Sequence, residues 1–348
     1  MKTLLDIIVA IVVFGVLIFV HEFGHFITAK LCGVKVNEFA LGMGPAVFKY
    51  RKGETQYSLR CLPIGGYCAM EGEDGESGDN RAFNRKPVWQ RILVLVAGAF
   101  MNILVGFLII LGITISSGAI ASTTVAKFED AATSNATGGL QAGDRIVEIN
   151  GSKIHIASDI TFGLLESRGN QADIDVIRSG KRLSLKNVSF PMVSDGNGGK
   201  VMQRDFWVYA AKKTPATILH ESYYWTISMV KLVWVTIVQM VQGRYGINDL
   251  AGPVGTTVAM GDAASQSLGT LLYMVAMIAV NLGVVNLFPL PALDGGRLLF
   301  VIIEGIRGKP VKPQYEGYVH FAGFVLLMLL MVVVTYNDIA RLITEHFK

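Results

Sequence analysis

The segment FVHEFGHFITAK (Phe19–Lys30) sets His21 and His25 four residues apart with Glu22 beside them, at the end of the apolar run Leu4–Val20. On a helix, residues i and i+4 share one face. Two neutral imidazoles on that face can reach one zinc ion, and the adjacent Glu22 can act as base on water. An ionisable residue at the centre of an apolar span costs ~2.5–3.5 kcal/mol or more unless something pairs it. Chance is therefore a minority explanation of this pattern here. A catalytic zinc usually takes three protein ligands and keeps a fourth position open. His155 lies in a polar region, and His220, His320 and His346 lie at or beyond the ends of apolar segments. Among the carboxylates, Asp294 stands out in NLFPLPALDGGR (Asn286–Arg297). Pro289 and Pro291 break a helix there and let Asp294 turn inward, and Gly295 and Gly296 permit a turn after it. On these residues alone, an ordinary helix-ending turn with a solvated Asp294 explains LDGG equally well.

The elements that must hold these residues are apolar. The chain has 348 residues, 51% apolar and only 17% charged, with a mean hydropathy of +0.46. That balance points to an integral membrane protein. The net charge of +4 is modest, and no basic run interleaved with aromatics suggests a nucleic-acid partner. Cys32, Cys61 and Cys68 are too few and too odd in number for a disulfide framework. Four stretches are long and apolar enough to cross a bilayer: Leu4–Ala29, Ile92–Ala121, Leu268–Leu293 and Val319–Tyr336. The first, lacking a small-residue cleavage site after it, reads as an uncleaved span. On its aromatics, His220, Glu221 and Lys231, Ile218–Gly243 is ambiguous between a span and an interfacial helix. Parity decides for the interfacial helix: if Asp294 shares a metal with His21 and His25, spans one and three must run in the same direction, which a further crossing here would prevent. Lys and Arg crowd the loops after spans one and three, which predicts those loops in the cytoplasm and both termini outside.

Between spans one and two, β-branched and aromatic residues alternate with glycines, and RKGET marks a hairpin tip. The acidic EGEDGESGDN that follows reads as a mobile tether. From about Ile120 to Lys213 the composition becomes that of a soluble domain. GGLQAGDRIVEING predicts a turn, a strand and an Asn-Gly turn; IASDITFGLLESRG a helix capped at Ser158; and IDVIRSGKRLSLKNVSF a hairpin at Ser179–Gly180.

HEFGH in a first span, joined to N-x-x-P-x-P-x-L-D-G in a later one, resembles the site-2 protease family of intramembrane zinc metalloproteases, in particular its bacterial branch of sigma-E-regulator-like proteases. The resemblance extends over nearly the whole chain. It implies an α-helical polytopic membrane protein in which residues 1–119 hold two spans and a membrane-reentrant β-hairpin on the cytoplasmic side. Residues 120–213 would be an inserted extracytoplasmic PDZ domain of α+β type, with a peptide groove along Ser158–Arg168. Residues 214–267 would hold the interfacial helix and a linker, and 268–348 the last two spans. By the same resemblance His21, His25 and Asp294 ligate one zinc ion, Glu22 is the general base, and Asn286 with Pro289 contacts the substrate. Gly42, Met43 and Gly44 on the hairpin would present the substrate as an added strand. Implied substrates are single-span membrane proteins, such as anti-sigma-factor-type regulators already trimmed by another protease, and remnant signal peptides. The expected location is the bacterial inner (cytoplasmic) membrane. One departure is the room for a single PDZ domain where the best-known relative has two.

Other polar residues in the spans have blander readings. Asn102, Thr114, Ser116 and Ser117 read as interhelical hydrogen-bonding residues. Two other functions fit parts of the chain. A metal transporter could use span histidines, but no internal repeat supports it. A catalytically dead scaffold would have no need of Glu22.

Overall fold

A computed structural model describes residues 2–73, 75, 77–167, 169–194, 200–243, 246 and 250–346. The chain divides into two compact units: residues 1–109 with 229–348, and residues 110–228. The expected groove end, Arg168, and Asp74 and Glu76 of the acidic stretch lie outside the described residues.

Four helices among the described residues are long and apolar enough to cross a membrane. They are α1 (Lys2–Leu31), α2 (Val88–Ser116), α6 (Leu268–Asn286) and α8 (Pro313–His346). Between α1 and α2, strands β1 (Val36–Lys52) and β2 (Thr55–Met70) form an antiparallel hairpin whose tip lies at Gly53. Glycines let α1, α2 and α6 approach closely, the usual device where lipid offers no hydrophobic drive to pack. A Cβ on Gly24 would lie 2.5 Å from Ala97 O, one on Gly283 2.7 Å from Ala99 O, and one on Gly106 2.5 Å from a Val280 methyl.

Several boundaries differ from the sequence reading, each for a local reason. The second span ends at Ser116, since a strand begins at Ile120. The third span ends at Asn286 rather than Leu293, because Pro289 and Pro291 cannot continue the helix. Asp294 then opens a separate short helix, α7 (Asp294–Arg307), so it does not sit at the end of a span. Gly295 and Gly296 are buried in the first turn of α7 rather than in a turn after Asp294. A Cβ on Gly295 would lie 2.0 Å from Phe288 O, so the preceding loop closes directly on the helix backbone. The last helix starts at Pro313, six residues before the expected Val319; proline suits a first helical position. Within the expected linker, α5 (Pro253–Gln266) packs on α1, α6 and α8. The buried Asp338 of α8 caps it, accepting from Gly252 N at 3.2 Å and Gly255 N at 2.8 Å.

The acidic stretch is no free tether where it is described. Lys35 lies 3.2 Å from Asp79 and 3.5 Å from Glu71, and Glu73 pairs with Arg297. Its acids meet the basic residues that flank it in space.

The second unit is a sheet with strand order β10-β3-β4-β6-β7, and β5 pairs with β4. These strands are β3 (Ile120–Phe128), β4 (Arg145–Ile149), β5 (Ser152–Lys153), β6 (Gln171–Arg178), β7 (Lys181–Ser189) and β10 (Phe206–Ala211). A small β8–β9 pair (Met192–Ser194, Lys200–Met202) and α3 (Ala157–Glu166) complete it. Ile146, Ile149, Ile160, Leu164, Ile174, Val176 and Phe206 form its core. Both expected tight turns are present, with positive φ at Asn150–Gly151 and at Ser179–Gly180. The cap of α3 is not Ser158. Ile156 precedes the helix, and Asp159 Oδ2 accepts from His155 N at 2.8 Å and Ile156 N at 3.1 Å. The segment expected at the interface is a helix, α4 (Pro215–Val241), and it is not among the four described helices apolar enough to span.

Candidate metal and hydrolytic site

His21 and His25 lie on the face of α1 that meets α2, with side chains only 10% and 7% exposed. His25 Nδ1 donates to Val94 O at 2.8 Å, which leaves Nε2 with its lone pair. His21 Nδ1 lies 3.3 Å from the Asn102 amide and 3.5 Å from that of Asn286. The loop Leu287–Leu293 brings Asp294 to the same point. His21 Nε2 and His25 Nε2 are 3.2 Å apart, and Asp294 Oδ2 is 3.0 Å from the first and 3.2 Å from the second. Among the described residues, this is the cluster of three donors that could hold a metal ion.

The donor set fits zinc. Ligand atoms about a tetrahedral zinc with bonds of about 2.0–2.1 Å sit ~3.3 Å apart, close to the edges of this triangle. Two imidazole lone pairs and a carboxylate turned on one another in a buried place repel unless a cation lies among them. The surroundings keep that place clear: a Cβ on Gly98 would lie 2.3 Å from His25 Nε2. Holding the metal through Nε2 requires His21 to carry its proton on Nδ1. The structure turns the Nδ2 of the fully buried Asn102 toward the ring and leaves its Oδ1 without a partner; the amide rotated by 180°, which has the same shape, satisfies Oδ1 by letting it accept that proton. Asn102 is thus a partner of the site rather than only a link between helices.

Glu22 shares a cavity of about 230 Å³ with His21 and Asp294, lined also by Ile18, Gly65, Gly66, Leu282, Asn286, Ala292 and Leu293. Its carboxylate accepts from the Cys68 backbone N–H on β2. A Cβ on Gly66 would lie 3.1 Å from Glu22 Cγ, so the strand edge reaches the carboxylate only because that position lacks a side chain. Burial, with Glu22 and Glu73 nearby, pushes the Cys68 thiol well above its ordinary range, which makes it an unreactive neighbour.

Of the residues singled out from sequence, His21, Glu22, His25, Asn286 and Asp294 come together here. Pro289 is exposed on the loop outside the cavity lining. Gly42, Met43 and Gly44 stand behind it on β1, where Met43 pairs with Leu62 and covers Gly65. The sequence reading missed Gly65 and Gly66, although a glycine pair inside a strand is a signal of close backbone approach. It also missed Gly98, whose role depends on a helix 73 residues away in sequence from His25.

Comparison with known proteins gives the chain a family. Residues 9–330 match the family model described as peptidase family M50. The chain belongs to peptidase family M50. It is 39% identical over 336 residues to a candidate zinc metalloprotease of Clostridium perfringens, covering 96% of this chain and 98% of that one. It is 32% identical to the zinc metalloprotease RasP of Geobacillus kaustophilus, covering 98% of this chain and 99% of that one. It is 30% identical to the regulator of sigma-W protease RasP of Bacillus subtilis, covering 97% and 98%. The alignments to the two RasP proteins run over 423 and 417 residues, more than the 348 here, so those relatives carry residues that this chain lacks.

Proposed function

We propose that this protein is an intramembrane zinc metalloendopeptidase whose metal is held by His21, His25 and Asp294, with Glu22 as general base. The observation that carries the reading is the triangle of donors at 3.0–3.2 Å with Glu22 in the same cavity. Zinc, when bound, supplies a Lewis acid that polarises the scissile carbonyl and acidifies water. Glu22, beside that position but outside the donor triangle, takes the proton from the attacking water and delivers it to the leaving amine. Its accepted bond from Cys68 N–H holds the carboxylate toward the cavity. Asn286, lining the same cavity, can donate its amide to the substrate backbone or to the developing oxyanion.

The substrate must unwind, because a helix keeps its carbonyls in its own i to i+4 hydrogen bonds and away from an attacking water. Gly65–Gly66 leaves strand backbone, unshielded by side chains, available to pair with the extended segment. The hairpin that includes Gly42–Gly44 then supports the presenting edge.

The finer reading completes the proposal. The sheet with its one helix supports a PDZ domain over 120–213. The basic loops support a bacterial inner-membrane protein with that domain outside and the site near the cytoplasmic side. Substrates are single-span membrane proteins, among them anti-sigma-factor-type regulators pre-trimmed by another protease, and remnant signal peptides. The test is cleavage of a membrane-embedded reporter. Asp294→Asn should lower both zinc content and cleavage; full retention of both would remove Asp294 from the site. For sidedness, Gly246→Cys in a background lacking the three native cysteines should react with an impermeant reagent added outside intact cells. Labelling only after permeabilisation would reverse the orientation.

A further inference from the structure

Ala292, two residues before Asp294, has φ of +71°. The other described non-glycine residues with positive φ are Asn150, Ser179 and Asn187, whose polar side chains suit turns. Alanine has no such local compensation, and a left-handed alanine persists only where its surroundings hold it. Those surroundings are on α8. The Ala292 backbone N–H donates to His320 Nδ1 at 3.0 Å. Glu316 Oε1 lies 3.9 Å from His320 Nε2, which favours the ring tautomer that carries its proton there and leaves Nδ1 free to accept. The neighbouring Pro291 sits against Gly323, where a Cβ would come within 2.1 Å of Pro291 Cβ. Helix α8 thus grips two consecutive loop residues just before Asp294, and Ala292 itself lines the cavity that holds Glu22.

We propose that His320 is a positioning residue for the metal site. By accepting the Ala292 N–H it fixes the left-handed turn that aims Asp294 Oδ2 at His21 and His25. The inference rests on the reading of those three residues as zinc ligands. It extends the site to a helix that contributes no donor to it.

The test measures zinc affinity by chelator competition on full-length protein in detergent, alongside kcat and KM on the membrane reporter. His320→Leu should weaken zinc binding about 10-fold, the low end of the effect of removing a group that orients a ligand. His320→Asn should stay close to wild type, because its Oδ1 stands where Nδ1 stood. Ala292→Gly combined with His320→Leu should recover most of the affinity, since glycine takes positive φ without help. If His320→Leu cannot be recovered folded, His320→Gln, whose acceptor is displaced by one methylene, replaces it with the same expected result. Wild-type affinity in the Leu or Gln variant would overturn the proposal. So would a His320→Asn variant as weak as His320→Leu, or a double variant without recovery, since either would mean His320 acts by bulk alone. A wild-type protein that takes up no zinc would sink the metal-site reading itself, which is a different result.

Discussion

Two regions supply the three candidate donors, and they are built on different principles. On α1, His21 and His25 meet because any regular helix stacks residues four apart. Asp294 reaches the same point through a loop with two prolines, a left-handed alanine and glycines pressed on carbonyls. The histidine side is positioned by hydrogen bonds within its own segment, with Val94 and Asn102 of α2 fixing only the ring faces. The aspartate side is positioned by contacts with α7 and α8, from residues up to about 30 positions away in sequence. A site assembled from one stiff half and one dependent half should fail differently when each is disturbed.

The largest effect should come from neither half but from Glu22, the proposed base between them. Glu22→Gln should lower turnover ~10²–10⁴-fold, the range for loss of a general base, while zinc content and the fold stay as they are. Loss of zinc in that variant would show that Glu22 belongs to the donor set, and the division into halves would need redrawing.

Adding one methyl to each half comes next. In Gly98→Ala the new Cβ would fall 2.3 Å from His25 Nε2, and in Gly295→Ala 2.0 Å from Phe288 O. Both should cost zinc affinity ~10–100-fold, comparable to losing a partner of a ligand. The stiff half should show it as a changed cobalt spectrum at full occupancy, because the histidine ring must turn. The dependent half should show it as weaker binding with a similar spectrum, because Asp294 is merely harder to bring in. Identical spectra in both variants would erase the distinction.

Smaller still is the effect of a ring partner. Asn102→Leu should lower zinc affinity ~10-fold by freeing the tautomer of His21, and Asn102→Asp should retain it. Equal loss in both would mean that Asn102 serves only packing.

The smallest change, and the most direct comparison, is metal removal. Chelation should raise amide hydrogen exchange across residues 287–296 by a few-fold while leaving residues 15–29 unchanged. Helix α1 keeps its own backbone bonds without the metal, whereas the loop loses a tether at Asp294. Equal protection of both segments after chelation would make the loop as self-sufficient as the helix.

Much of this was legible in the chain because its signals are local. The four apolar stretches follow from length and hydropathy, the hairpin tip from RKGET, and the turns at Asn150–Gly151 and Ser179–Gly180 from residues that tolerate positive φ. What went wrong or missing involves partners distant in sequence. Helix α5 is weakly patterned and is capped by Asp338, 85 residues after its first residue Pro253. The acidic stretch looked free because Lys35 and Arg297, which pair with it, are far along the chain.

The sequence by itself determined the histidine pair, the glutamate beside it and the apolar setting, because helix periodicity and hydropathy are properties of a single segment. From the residues alone it left Asp294 as one of two equal readings, since an LDGG turn reads the same in solvent as in a site, and only the resemblance carried by NLFPLPALDG made it an expected ligand. Tertiary structure decided the rest. Gly24 and Gly98 let two helices close until the rings face Asn102 and Val94, and Gly295 lets the loop fold onto α7. His320 catches the one backbone N–H that holds Ala292 in place. Each of these is a contact between segments, and its energy depends on a distance that no single segment contains.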